Sequence, residues 1–312
     1  MSCYLVTGGA GFIGSNLVAA LLQRGHEVRV VDNFATGRHI NLKPFENDIK
    51  LYELDIGVEL GLKEAFAGVD YVLHQAALPS VPRSIADPVG SFVSSARGTL
   101  NVLESARATG VKRLVFASSS SIYGSNPELP KVESMRLEPL SPYAAAKLSA
   151  ETYCQVYYKV YGVQTVALRY FNVFGPNQDP DSQYAAVIPK FIRAALRGET
   201  LTINGDGSVS RDFTYIDNIV QGNILAAESD AGAGEVFNIA CGDRISLNEM
   251  VATIESFVGH PVDKKYDPPR AGDVPHSQAN IDKITELLGY KPTISFTDGM
   301  EQTFEYFKKI FS

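Results

Sequence analysis

Over the first 172 positions, short apolar runs alternate with stretches in which apolar residues recur every three or four places. CYLVTG, EVRVVD, KLYELD, DYVLHQA, KRLVFAS and VQTVALR read as strands, and the segments between them as helices. Strands that are apolar almost throughout are buried on both faces, as in a parallel sheet with helices on each side. The pattern predicts a doubly wound parallel sheet of Rossmann type over residues 1–172. Beyond it the rhythm loosens into a polar loop, NVFGPNQDPDSQY, a helix near 186–197 and a strand-like RDFTYID. GEVFNIAC then reads as another buried strand, which gives a return segment over 212–241. Helices near 246–257, 280–288 and 296–311 complete a smaller α/β lobe, assigned mainly to 173–312.

Composition narrows the function classes. With 312 residues, 45% hydrophobic and 20% charged, the chain can bury a large core and a second lobe. A net charge of −7 leaves no broad basic surface, so neither nucleic acid nor an anionic membrane is an expected partner. Three cysteines far apart (Cys3, Cys154, Cys241) and five scattered histidines point to neither a disulfide framework nor a metal site. No apolar run reaches the length of a membrane span. The opening MSCYLVTGGAGFIGSNLVAALL lacks a basic leader region and is broken by glycines, so it reads as folded structure in a cytoplasmic protein.

The first chemical motif is TGGAGFIG, Thr7 to Gly14, between a predicted strand and a predicted helix. Gly9-x-Gly11-x-x-Gly14 fits the dinucleotide fingerprint, whose glycines permit a tight turn and let a pyrophosphate approach the helix N-terminus. Asp32 ends the second strand, where a carboxylate binds ribose hydroxyls and repels a 2′-phosphate, so NAD is expected rather than NADP. Arg38 reads as a solvated loop charge.

Ligands of such sheets bind outside the carboxyl ends of the strands. Those ends carry Asp55, Ala76 to Ser80, and the serine run from Ser118. Next comes SPYAAAK, in which Ser141 is an N-cap, Pro142 occupies the first helical position, and Tyr143 and Lys147 share one helix face. By itself a Tyr-x-x-x-Lys pair in a chain with 15 Tyr is no more than chance supplies. Its place after the serine strand end directs both toward the same crevice.

Taken in order, the glycine fingerprint, the serine strand end, Tyr143-x-x-x-Lys147, LRYFNVFGP, SRDFTYIDN and RAGDVPHS resemble the extended short-chain dehydrogenase/reductases acting on nucleotide sugars. Within that family the chain looks most like UDP-hexose 4-epimerases, especially the branch acting on N-acetylated UDP-hexoses. The resemblance implies Ser119, Tyr143 and Lys147 as catalytic residues and NAD as cofactor. It places cofactor contacts at Gly8, Gly11, Phe12, Ile13, Gly14, Asp32, Asn33, Asp55, Ile56, Ala76, Ala77, Tyr143, Lys147 and Tyr170. It assigns the UDP moiety to Asn172, Arg211, Arg270 and Asp273, with further substrate contacts at Ser80, Ser120, Ala186, Val187, Lys190, Asn204 and Ser277. It also implies a homodimer formed through a helix bundle. One departure is Ser95, where relatives often carry an asparagine near the cofactor.

The implied chemistry is consistent with the residue types. Taking hydride from a sugar C4 requires the 4-hydroxyl proton to leave, and a phenol of pKa about 10 is only about 0.1% ionised at pH 7. Bringing Tyr143 near 7 needs about 4 kcal/mol, expected from the Lys147 ammonium and the positive nicotinamide. Ser119 would bridge the proton. A 4,6-dehydratase would need an acid and a base where this chain has Ser120 and Ser121. A UDP-glucuronate decarboxylase, a uronate epimerase and an NAD-sensing protein without catalysis are the other readings.

Overall fold

The structure is a computed structural model and describes residues 1–180, 186–269 and 275–311. Seven strands form the main sheet: β1 (Cys3–Thr7), β2 (Glu27–Asp32), β3 (Ile49–Glu53), β4 (Tyr71–His74), β5 (Arg113–Ser119), β6 (Thr165–Tyr170) and β7 (Val236–Ile239). They lie in the order β7-β6-β5-β4-β1-β2-β3, every pairing parallel. The fold is therefore the doubly wound α/β type. Strand order reverses between β1 and β4, which opens a crevice at their carboxyl ends, where Thr7 stands opposite His74.

Two-sided burial explains the apolar runs. Val6, Val30, Leu73 and Val115 enter one core, while Leu5, Val31, Val72 and Leu114 enter the other. The longer helices are α1 (Phe12–Gln23), α2 (Gly98–Thr109), α3 (Pro142–Tyr161), α4 (Val187–Arg197), α5 (Ile216–Glu228), α6 (Leu247–Val258) and α7 (Phe296–Phe311). Leu17 and Leu21 of α1 join Ile219 and Ile224 of α5 in the first core. Val102 and Leu103 of α2 join Ala150, Cys154 and Tyr157 of α3 in the second. The first core continues through Phe191 of α4, Met250 of α6 and Phe304 of α7. One continuous apolar interior thus carries both the sheet and the C-terminal helices.

RDFTYID departs from its expected strand. Arg211 pairs with Ile245 and Thr214–Tyr215 with Val173–Phe174 in two separate short ladders, and α5 begins at Ile216. Apolar residues at 216, 219, 220 and 224 form a helical stripe whose burial outweighs the β-propensity of the preceding aromatics. Leu201–Asn204 and Lys264–Asp267 make a separate parallel pair. Among the described residues, no helix is long and apolar enough to cross a membrane.

Candidate active site

A cleft of about 850 Å³ runs along the carboxyl ends of the strands. Its floor begins at the glycine turn. Gly8 has φ +70°, and a Cβ there would lie 2.7 Å from the Ala76 backbone nitrogen. A Cβ on Gly14 would lie 2.1 Å from the Gly8 carbonyl oxygen, so turn and helix can close only on glycine. Gly11 caps α1 without a side-chain hydrogen bond, and Gly11, Phe12, Ile13 and Gly14 line the cleft. First-turn N–H groups at such a helix start are suited to phosphate oxygens. A dinucleotide fits this cradle.

Asp32 closes the opposite wall. Its carboxylate accepts from the N–H groups of Ala10 at 2.9 Å and Phe34 at 2.8 Å. Burial pushes its pKa up, and those two N–H groups pull against the shift. Asp32 therefore organises the loop after β2 as well as facing the cleft. Asn33 donates to Asp55 at 3.0 Å, while Asp55 also accepts from the Gly57 N–H at 2.7 Å. Every cofactor contact implied by the resemblance, from Gly8 through Tyr170, lines this one cleft. Arg38 is half-exposed and lies 3.9 Å from Asp179.

The serine strand end and α3 converge at the inner wall. Ser141 accepts from the Ala144 N–H at 3.1 Å with Pro142 at the first position, the expected start of the helix. Tyr143 and Lys147 face the cleft, and Ser119 is hydrogen-bonded to the Tyr143 phenol. Ser119 Oγ accepts both the Ser121 N–H at 3.2 Å and the Ser121 hydroxyl at 2.9 Å. With its lone pairs engaged, Ser119 is left to donate its own proton to the phenol oxygen.

Burial sets the starting state of Lys147. Lys147 is buried, donates to the Ala117 carbonyl at 2.7 Å, and lies 4.9 Å over the Phe116 ring. Burial pushes its pKa down to about 8, while the Tyr143 phenol is pushed up by burial, with Ser119 opposing. In the protein alone, desolvation outweighs any benefit from the neighbouring ammonium. At about 8 its pKa still leaves the ammonium the predominant form at pH 7.

The remaining candidates divide. Ser80 and Ala186 line the cleft, whereas Ser119, Ser120, Asn172, Val187, Lys190, Asn204, Arg211 and Ser277 are not part of its wall. Ser80 holds φ at +113° and accepts from the Arg83 N–H at 3.3 Å. Asn172 has φ +32° and donates to the Asp212 carbonyl at 3.1 Å and to Ser277 Oγ at 3.5 Å. Arg211 donates to the carbonyls of Ser210 at 2.9 Å and Pro275 at 3.2 Å. Asn204 ends its short strand opposite Asp267, while Val187 and Lys190 form the first turn of α4. Arg270 and Asp273 lie outside the described residues. Ser95 is buried in a π-helical turn over Val93–Arg97, its hydroxyl without a partner, and its neighbour Ser94 lines the cleft instead.

The strand-end reading missed Gln75. It lines the cleft and accepts from the Tyr170 hydroxyl at 3.0 Å, and Tyr170 also reaches Asn223 at 2.9 Å. Gln75 directly follows β4 and was findable by that position. Asn223 sits on α5 and carries no local signal.

A sequence profile of the NAD-dependent epimerase/dehydratase family matches residues 4–240. The chain is 38% identical to a UDP-glucose 4-epimerase of Mycolicibacterium smegmatis over 309 residues, covering 97% of this chain and 98% of that one. It superposes with a TM-score of 0.95 on a UDP-N-acetylglucosamine 4-epimerase from Methanobrevibacter ruminantium in complex with UDP-N-acetylmuramic acid, at 40% identity and 99% coverage of each chain. A UDP-glucuronic acid 4-epimerase from Bacillus cereus, in complex with UDP-glucuronic acid and NAD, gives a TM-score of 0.91 at 33% identity, again covering 99% of each.

Proposed function

We propose that this protein, which belongs to the NAD-dependent epimerase/dehydratase family, interconverts UDP-N-acetylglucosamine and UDP-N-acetylgalactosamine through a 4-keto sugar. The observation that carries the reading is the placement of the Tyr143 phenol and the Lys147 ammonium on the wall of a cleft whose floor is a glycine turn, with the Ser119 hydroxyl against the phenol. NAD held by the Gly8–Gly14 turn and Asp32 would supply the hydride acceptor and donor for C4. The chain's own residues handle the proton and the geometry.

Tyr143 removes the 4-hydroxyl proton and later restores it, with Ser119 stabilising the phenolate through its outward O–H. Lys147 has one N–H on the Ala117 carbonyl and two more for ligand hydroxyls, so it orients as well as charges the site. Because burial raises the phenol, a cationic neighbour must arrive with the ligands before Tyr143 becomes an effective base. Ser121 is spent on Ser119, which leaves no acid–base pair for dehydration.

Asn172, Arg211, Arg270 and Asp273 are assigned to UDP, and the small Ser277, beside Asn172, leaves room for an acetamido group. Exposed apolar side chains on Val81–Ala86 and Pro88–Phe92 (Ile85, Val89, Phe92) and on α3 (Tyr153, Val156, Val160) support a homodimer through these packed helices. Three free thiols fit a reducing cytoplasm.

The test measures kcat/KM for UDP-GlcNAc and UDP-glucose in wild type and Ser277→Tyr, while also following CO₂ and pentose from UDP-glucuronate. Wild type is expected to convert both hexoses, with UDP-glucose equal or weaker. Ser277→Tyr should lower the N-acetyl substrate by at least about tenfold and largely spare the other, because overpacking displaces only the larger sugar. Equal losses for both pairs would refute the pocket. CO₂ release without epimerisation would replace the reading with decarboxylation.

A further inference from the structure

The wall beside Asn172 is assembled from segments far apart in sequence, and one buried residue touches all of them. Asp212 has no solvent exposure. One carboxylate oxygen accepts from the Cys241 N–H at 3.1 Å, and the other accepts from the N–H groups of Gly242 at 3.0 Å and Ala279 at 3.1 Å. Its main-chain carbonyl accepts from the Asn172 side-chain amide, which also reaches Ser277 Oγ. Ser210, two residues upstream, reinforces the same junction: the Ser277 N–H donates to the Ser210 carbonyl at 3.1 Å, and Ser210 Oγ lies 2.8 Å from His276 Nδ1. Residues 172, 241, 242 and 279 are thus tied to one side chain and its own peptide, and Ser277 is held two residues upstream at Ser210.

The chemistry of the tie is specific. Three N–H groups converging from two loops need two acceptor oxygens with spare lone pairs, which a carboxylate supplies and an amide or hydroxyl does not. Burial pushes the Asp212 acid up to about 7 even with the three N–H groups opposing the shift. A buried acid is costly, so its use where an apolar residue would be cheaper points to a requirement for fixed loop positions.

We propose that Asp212 is a positioning residue for nucleotide-sugar binding, holding the Asn172 turn and the Ser277–Ala279 segment at the separation the ligand requires. The proposal rests on the nucleotide-sugar reading above. Ser119, Tyr143 and Lys147 stand on β5 and α3, outside the tied segments, so the clamp acts on binding rather than on the chemical step.

The test compares the NAD-loaded wild type with Asp212→Asn, measuring kcat and KM for UDP-GlcNAc and the Kd for UDP alone by calorimetry. Asparagine presents one acceptor oxygen to three N–H groups and turns an NH₂ toward at least one of them. KM and the UDP Kd should each rise about tenfold, the scale of one lost buried hydrogen bond, with kcat within about threefold of wild type. A residue needed only for stability would reduce the active fraction and leave KM and the UDP Kd unchanged, and that result overturns the proposal. If Asp212→Asn does not fold, hydrogen exchange decides on the NAD-loaded wild type: the Gly242 and Ala279 amides should slow at least about tenfold when UDP binds. Unchanged exchange at both amides with UDP bound overturns it equally. A wild type that neither binds UDP nor converts any UDP-sugar defeats the nucleotide-sugar reading itself and the positioning role with it.

Discussion

Tyr143→Phe is expected to lower turnover at least about a thousandfold while leaving thermal unfolding and NAD content near wild type. The ring of Tyr143 packs at the cleft wall in the first turn of α3, and phenylalanine preserves that packing and the Ser141 cap. What disappears is the oxygen to which Ser119 is bonded, and with it the group that exchanges the 4-hydroxyl proton in the proposed reaction. The measurement is single-turnover and steady-state rate on NAD-loaded protein, with bound NAD quantified after denaturation. Retention of more than a tenth of the wild-type rate would remove Tyr143 from the role of base.

Arg169→Met should destabilise the fold by about 3–5 kcal/mol, because it strips the partner from a buried carboxylate. Arg169 and Glu151 are both buried, with Nη2 of Arg169 donating to Oε1 of Glu151 at 2.6 Å and Nε to Oε2 at 3.1 Å. The pair joins β6 to α3. Ser118 donates to the same carboxylate at 2.6 Å, Arg169 donates to the Tyr123 hydroxyl at 2.8 Å, and Tyr123 donates to Asn238 at 2.6 Å. The network therefore fixes the helix that carries Tyr143 and Lys147 against the strand that ends in Ser119. Urea unfolding should show a lower midpoint with the slope unchanged. The double variant Glu151→Met with Arg169→Met should recover much of the loss, since no charge is then left buried. A single-variant loss below about 1 kcal/mol would show that water or another group screens Glu151.

The site was legible where its elements are local. Ser141, Pro142, Tyr143 and Lys147 stand within the first two helical turns, so cap, register and shared face follow from spacing alone, and the glycine turn follows from backbone sterics. Two-sided burial also writes itself into the apolar strand runs. Contacts set by distant segments were not legible. Which carbonyl receives the Lys147 ammonium depends on how α3 lies on β5, so its bond to Ala117 and the resulting depressed pKa needed the packed structure. Asp212 carries no local signal for its role, since its carboxylate turns inward to N–H groups 29 and 67 positions away. The α5 start was hidden because FTYI has strand propensity and only the later IDNIVQGNILAAE stripe reveals the helix.

The central claim is reversible oxidation at C4 inside a single closed site, and the fate of the C4 hydrogen tests it most directly. UDP-GlcNAc deuterated at C4 is incubated with NAD-loaded protein in ordinary water, and the UDP-GalNAc formed is isolated and examined by NMR and mass spectrometry. The account predicts product that retains the deuterium at C4, with no label in solvent and no net NADH accumulated. Product carrying a solvent hydrogen at C4, or a protein that binds NAD and UDP-GlcNAc yet forms no epimer, would contradict it.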